Sequence, residues 1–256
     1  MDQVLIDTHC HLNDPAFEST LPDVIERAGA AGVRGFIVPA YDRVSLKRTA
    51  DLASLYPGAI LPSYGIHPWY AGDNINYDIL LSYLRRQDTV ALGEIGLDFA
   101  PDAPPEPTQI EIFTRQLNLA RELNLPVLLH CRNAHDTLYQ ILKGYWGGVQ
   151  GVMHSFSGNY EFMQRFIDLG FSISFSGSVT RKRAKKYHRN AQAVPLDRLL
   201  VETDAPSIAT ESTVASAVEP RHCVEVARKV AELRGIPFEE VCTRTAGNAR
   251  RLFRLP

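Results

Sequence analysis

The chain has 256 residues, a formal net charge of −2, 45% hydrophobic residues and 22% charged residues. These values are ordinary for a globular protein, and the weak net charge excludes a nucleic-acid binder that depends on a strongly basic surface. No stretch reaches the roughly 18 apolar residues of a membrane-spanning helix. The four cysteines form no Cys-x-x-Cys pair and no signal peptide stands at the N-terminus, so the sequence predicts a cytoplasmic protein with reduced thiols.

Short apolar segments alternate along the chain with longer segments of helical periodicity. The predicted strands cover residues 4–7, 34–39, 61–66, 90–94, 127–130, 151–153, 172–175 and 199–202. In the first helical segment, Leu21, Val24 and Ala28 share one face. This alternation predicts a parallel sheet, and eight strands at this length favour an α/β fold, a single-domain TIM-type (β/α)8 barrel over residues 1–256. An open doubly wound sheet is the alternative, but no Gly-x-Gly-x-x-Gly turn follows the first strand.

Residues of metal-ligand type stand at or just after the C-terminal ends of five predicted strands. They are His9, His11, Glu94, His130, His154 and Asp204. Each one alone could be an ordinary hydrogen-bonding residue, but barrel enzymes assemble their active sites at this rim. Nitrogen and oxygen ligands together suit two divalent ions, which we expect to be zinc, manganese, magnesium, nickel or iron. In this interpretation Glu94 bridges the two ions.

The charge of such a site favours an anionic substrate. Four neutral imidazoles and two carboxylates carry about −2, so two divalent ions would leave the site positive by about two charges. That charge suits a phosphodiester better than a neutral amide, and paired ions can stabilise both attacking and leaving oxygens. Two alternatives stay open: a hydrolase of a non-nucleotide ester, lactone or amide, and a non-catalytic barrel that binds a partner.

Two further residues are candidates for substrate binding. His67 follows the third predicted strand and precedes Pro68-Trp69, where it could orient a phosphate or simply pack on Trp69. Arg132 comes shortly after the fifth strand and could hold a phosphate with two hydrogen bonds or form a surface salt bridge. We assign both residues to substrate binding, and His67 also to catalysis.

The loops near the predicted rim carry charge and aromatic rings. Residues 181–189 include six lysines and arginines, which could contact a phosphate backbone or form a solvated helix face. Trp69, Tyr70 and Phe99 could stack on nucleobases, although packing is the commoner role for such side chains.

Six segments together resemble one known family. They are residues 7–12, 65–68, 93–98, 130–132, 154–158 and 202–206. As an ordered set they resemble the TatD family of metal-dependent deoxyribonucleases, within the amidohydrolase-like superfamily of barrels, and the likeness extends to Phe253. The resemblance implies hydrolysis of DNA by a metal-activated water. It also implies that the six rim residues are metal ligands, that His67 faces the substrate phosphate and that Asp204 is the catalytic base.

One segment departs from the family pattern. After Asp204-Ala205-Pro206 the family continues with a basic, proline-rich loop, whereas residues 207–217 here are small, polar and acidic. Substrate contacts from this loop are therefore in doubt, but the ligand set is not affected. Because a closed barrel leaves no open sheet edge, we expect a monomer with no obligate protein partner. The resemblance implies that DNA is the substrate.

Overall fold

The computed structural model describes residues 4–73 and 76–256, so the first three residues of the N-terminal segment lie outside the described residues. Eight parallel strands form one sheet in sequential order, which confirms the predicted (β/α)8 barrel. The strands are β1 (Leu5–Asp7), β2 (Val33–Pro39), β3 (Ile60–Tyr64), β4 (Ala91–Asp98), β5 (Val127–Arg132), β6 (Gly151–Met153), β7 (Ser172–Phe175) and β8 (Leu199–Val201).

Helices follow the strands and form the outer layer of the barrel. They are α1 (Leu21–Ala30), α2 (Arg43–Leu55), α3 (Tyr77–Leu84), α4 (Glu106–Leu123), α5 (His135–Lys143), α6 (Tyr160–Asp168), α7 (Lys185–Ala193), α8 (Cys223–Arg234) and α9 (Phe238–Phe253). The side chains of Asp42, Asn76 and Asn159 cap the first turns of α2, α3 and α6. Among the described residues, no helix is both long and apolar enough to cross a lipid bilayer.

The fourth strand differs from the prediction in its length. It continues to Asp98 instead of ending at Glu94, and all of its residues are buried. Its register against β5 shifts between Leu92 and Ile95, so the chain bulges at Gly93 and Glu94. A bulge re-aims a side chain without ending the strand. The prediction was wrong here because a buried carboxylate was taken as the end of the strand.

The two faces of the strands pack into separate hydrophobic clusters. Alternate strand residues such as Leu5 and Val127 join the large cluster that contains the helices. Their neighbours, including Ile6 and Leu128, form a smaller cluster with Phe253 at the end of α9. Because strand side chains alternate between faces, the smaller cluster fills the barrel interior. Helix α9 thus covers the N-terminal end of the barrel and leaves the C-terminal end for the site.

Hydrogen bonds between the C-terminal ends of β1 and β8, and between the segments that follow them, complete the ring. The amide of Thr8 donates to the carbonyl of Val201 at 3.2 Å. The buried carboxylate of Asp7 accepts hydrogen bonds from the main-chain amide of Thr203 at 3.0 Å and from its hydroxyl at 2.6 Å. Just beyond, the amide of Asp204 donates to the carbonyl of His9 at 2.8 Å. Two candidate ligands are therefore held against each other through their own backbones.

Gly96 allows β4 and β5 to approach closely beside the site. Its φ is 146°, and a methyl group at this position would lie 2.0 Å from the carbonyl oxygen of His130. We predict that Gly96→Ala lowers the free energy of unfolding by about 2 kcal/mol or more, through overpacking and backbone strain.

Chemical denaturation would measure this loss. The matched control is Gly29→Ala in α1, where an added methyl group meets no atom within 4 Å and should be neutral or stabilise by up to about 1 kcal/mol. Equal stability of the two variants would contradict the close approach of β4 and β5.

Candidate metal centre

The structure brings the six predicted ligand residues together at the C-terminal end of the barrel. Two of them, Glu94 and His130, lie within β4 and β5. The others follow shortly after β1, β6 and β8, and they are His9, His11, His154 and Asp204. His9 and His11 point the same way, while Cys10 between them is buried with its Sγ 3.8 Å from the carbonyl of Ile37. This alternation is the one expected of an extended segment.

Four of the candidate ligand atoms form a first group. The Nε2 atoms of His9 and His11 lie 3.2 Å apart. Oε2 of Glu94 is 3.2 Å from His9 Nε2, and Oδ1 of Asp204 is 3.3 Å from His11 Nε2. Bonds of 2.0–2.1 Å to a tetrahedral zinc ion would separate neighbouring ligand atoms by about 3.3 Å. The donor atoms and their spacing therefore fit one small divalent cation.

The second oxygen of Glu94 belongs to a different group. Oε1 lies 2.9 Å from Nε2 of His154 and 3.1 Å from Nδ1 of His130, and these two nitrogens are 3.3 Å apart. His67 approaches the same oxygen with its Nε2 at 3.6 Å. The two oxygens of the buried Glu94 carboxylate thus face two different groups of donor atoms. Oε2 lies with the first group, and Oε1 lies with the second.

A buried carboxylate that the sequence analysis did not assign orients His130. Oδ2 of Asp98 lies 2.9 Å from Nε2 of His130 and accepts a hydrogen bond from Nε1 of Trp69 at 2.8 Å. Burial opposes ionisation of Asp98, but these hydrogen bonds outweigh it and lower its pKa to about 2. A carboxylate behind a ligand imidazole fixes which nitrogen faces the metal. The position of Asp98 at the end of the quoted 93–98 motif was the available signal.

Glu202 is a second buried carboxylate, and it lies beside His154 as Asp98 lies beside His130. Its Oε1 lies 3.3 Å from Nδ1 of His154 and accepts a hydrogen bond from the amide of Ser155 at 2.6 Å. Glu202, His154 and His9 also form a close group of ligand-type atoms. Glu202, however, lies beside Nδ1 of His154, whereas Glu94 lies beside Nε2, so Glu202 stands behind this candidate ligand.

The charges within the cluster compensate each other. Burial would raise the pKa of Glu94, but His154, His9 and His67 lower it well below its usual range. Burial likewise opposes protonation of His154, but the charge of Glu94 and the contact with Glu202 raise its pKa well above the ordinary value. Without other cations, a protonated His154 therefore balances an ionised Glu94.

Metal binding should consequently release protons. Because the pKa of His154 is raised, an ion must displace its proton, and metal affinity should fall as the pH drops through that raised pKa. Calorimetric titration of chelator-treated protein at neutral pH, in buffers of different ionisation enthalpy, measures the release. An observed heat that does not change between buffers would contradict this charge state. Glu94→Gln should bind weakly and serves as the control.

The residues that the sequence predicted to contact substrate do not all lie at the cavity. His67 lines a cavity of about 450 Å³ above the ligands. Arg132 is exposed at the end of β5 and is not among the residues that line this cavity. In the basic segment 181–189, Lys182 forms an ion pair with Glu211 of the atypical loop at 3.8 Å. That loop thus neutralises part of the positive charge beside the rim.

A parallel barrel with histidines and carboxylates gathered at the carboxyl ends of its strands is the architecture of a metal-dependent hydrolase. The family model described as TatD related DNase matches residues 6–254, so the chain belongs to the TatD-related DNase family. This finding confirms the resemblance seen in the sequence.

Individual relatives match along almost their whole length. The chain is 37% identical to the uncharacterized metal-dependent hydrolase YabD of Bacillus subtilis, covering 98% of this chain and 100% of that protein. It is 33% identical to a protein of Pantoea vagans named 3'-5' ssDNA/RNA exonuclease TatD. That match covers 98% of this chain and 100% of the Pantoea vagans protein. The crystal structure of YjjV, a TatD homologue from Escherichia coli, superposes with a TM-score of 0.93 at 34% identity, covering 100% of both chains.

Proposed function

We propose that this metal-dependent hydrolase is a nuclease that cleaves phosphodiester bonds of DNA with two divalent ions. The observation that carries the proposal is the division of the Glu94 carboxylate between two donor groups, 3.2 Å from His9 on one side and 2.9 Å from His154 on the other. The name of the Pantoea vagans relative supports a nucleic-acid substrate.

The proposal divides the ligands between two ions. His9, His11 and Asp204 would hold one ion together with Oε2 of Glu94, and His130 and His154 would hold the other with Oε1. Bound divalent ions would activate water as a nucleophile and neutralise the charge on attacking and leaving oxygens. An anionic phosphodiester gains more from such a positive site than a neutral amide does.

His67 is suited to orient the substrate phosphate as a neutral donor. Burial lowers the pKa of its imidazole to about 3, so the ring is uncharged near neutral pH. Its Nδ1 accepts a hydrogen bond from the amide of Trp69 at 3.2 Å. The proton of the neutral ring is therefore on Nε2, which faces the cavity and can donate to a phosphate oxygen.

Asp204 is suited to accept the proton of the attacking water. Burial opposes its ionisation, but the hydrogen bond and charge of His11 lower the pKa of Asp204 below its ordinary value. The carboxylate also lines the cavity, so it can act as a base where substrate binds. Arg132, exposed outside the cavity lining, would contact the strand away from the scissile phosphate.

The test is hydrolysis of labelled single-stranded DNA, double-stranded DNA and RNA, with magnesium, manganese or zinc added. We predict metal-dependent cleavage of DNA that falls about 100-fold or more in Asp204→Asn. The control is Asp51→Asn, which makes the same chemical change at an exposed ion pair with Lys47 on α2. Undiminished cleavage by Asp204→Asn contradicts the assignment. No cleavage by a metal-loaded protein would indicate the ester, lactone or amide alternative.

His67 provides a separate test. His67→Ala should lower kcat/KM about 10- to 100-fold, because a hydrogen bond to a charged phosphate is lost. His67→Gln keeps a side-chain N–H donor and should recover part of that loss. Metal content, measured by elemental analysis, should stay at the wild-type value in both variants. A drop in metal content in both would make His67 a ligand instead of a substrate contact.

A further inference from the structure

Aromatic side chains form one wall of the cavity above the ligands. Tyr41, Trp69 and Tyr70 line it together with the ligand residues. The rings of Tyr41 and Tyr70 lie 5.8 Å apart. Trp69 remains 40% exposed, so one face of its ring is open to the cavity that it lines.

The ring of Trp69 is fixed in place despite this exposure. Its Nε1 donates to Oδ2 of Asp98 at 2.8 Å, and its main-chain amide donates to Nδ1 of His67 at 3.2 Å. Asp98 is itself 1% exposed and is held by the amide of Ala100, which donates to its other oxygen at 3.0 Å. The anchor therefore holds the indole in one orientation beside the cavity.

The anchor also connects the indole to the metal centre. The same oxygen, Oδ2 of Asp98, lies 2.9 Å from Nε2 of His130. Asp98 therefore links the indole to the candidate ligand His130 through one hydrogen bond on each side. Along the chain, Trp69 is two residues from His67. Its rigid, exposed face stands beside the place where the proposed function puts the scissile phosphate.

We propose that Trp69 stacks on the nucleobase next to the scissile phosphate and selects substrates with an unpaired base. This inference rests on the proposed nuclease function. Stacking on an aromatic ring accepts any base, because every base has a flat π-face. A base inside an intact duplex is covered on both faces by its neighbours and cannot reach the indole. A single strand or a frayed end supplies the base that fits.

Binding can be followed without turnover, because the chain has only two tryptophans. Trp146 is 74% exposed and precedes β6, at the opposite end of the barrel. The variant Trp146→Phe therefore leaves Trp69 as the reporter. We expect a slowly cleaved phosphorothioate strand to quench its emission saturably, and a matched strand in which every residue is abasic to leave it unchanged. Equal quenching by both strands, or none by either, overturns the proposal.

Kinetics supply the second readout. Trp69→Ala should raise KM for the base-bearing single strand about 5- to 150-fold, the range of one base stacking contact. On the abasic strand it should have the KM of the wild type. Trp69→Phe keeps a flat ring but lacks the N–H donor to Asp98, so it should recover only part of the KM loss seen in Trp69→Ala on the base-bearing strand.

The outcomes separate this inference from the proposed function. If Trp69→Ala impairs both strands equally, Trp69 acts only through Asp98 and His130, and the stacking role is wrong. If the wild type cleaves neither strand, the nuclease function is wrong, while the fluorescence titration still decides whether Trp69 binds a base.

Discussion

The site depends on one constraint: the carboxylate of Glu94 is 3% exposed and must be compensated by nearby cations. An unpaired charge at such a depth would cost several kcal/mol or more. The bulge in β4 directs both oxygens toward the ligand nitrogens, so each oxygen meets its own group. Protonated histidines can balance this charge, and divalent ions held by the same nitrogens can balance it as well. The division of the two oxygens between separate donor groups is the feature that fits a metal centre.

The barrel supplies the rigidity that this constraint requires. Apolar side chains fill the interior below the site, and α9 covers the opposite end. Above that layer, carboxylates on other strands hold the imidazoles from behind, with Asp98 of β4 at His130 and Glu202 after β8 at His154. Ligand orientation is therefore set by contacts between strands, which is why a bound ion would meet donors already in place.

Sequence patterns predicted the eight strands and singled out the candidate ligands that the structure brings together. Both leave local signals: apolar runs for the strands, and histidines or carboxylates near the strand ends. The supporting carboxylates were missed for a physical reason. Asp98 acts on His130 and Glu202 acts on His154 across neighbouring or distant strands, and periodicity along one segment carries no information about such pairs. The bulge at Glu94 was missed because it appears only in the register between strands.

Anomalous X-ray diffraction from manganese-soaked crystals tests the central claim most directly. The account predicts two anomalous peaks that flank Glu94, one nearest Oε2 between His9 and Asp204 and one nearest Oε1 between His130 and His154. Both peaks should weaken together in crystals of Glu94→Gln, because the shared charge is gone. A single peak that does not contact Glu94, or two full peaks in the variant, would contradict a bridging carboxylate.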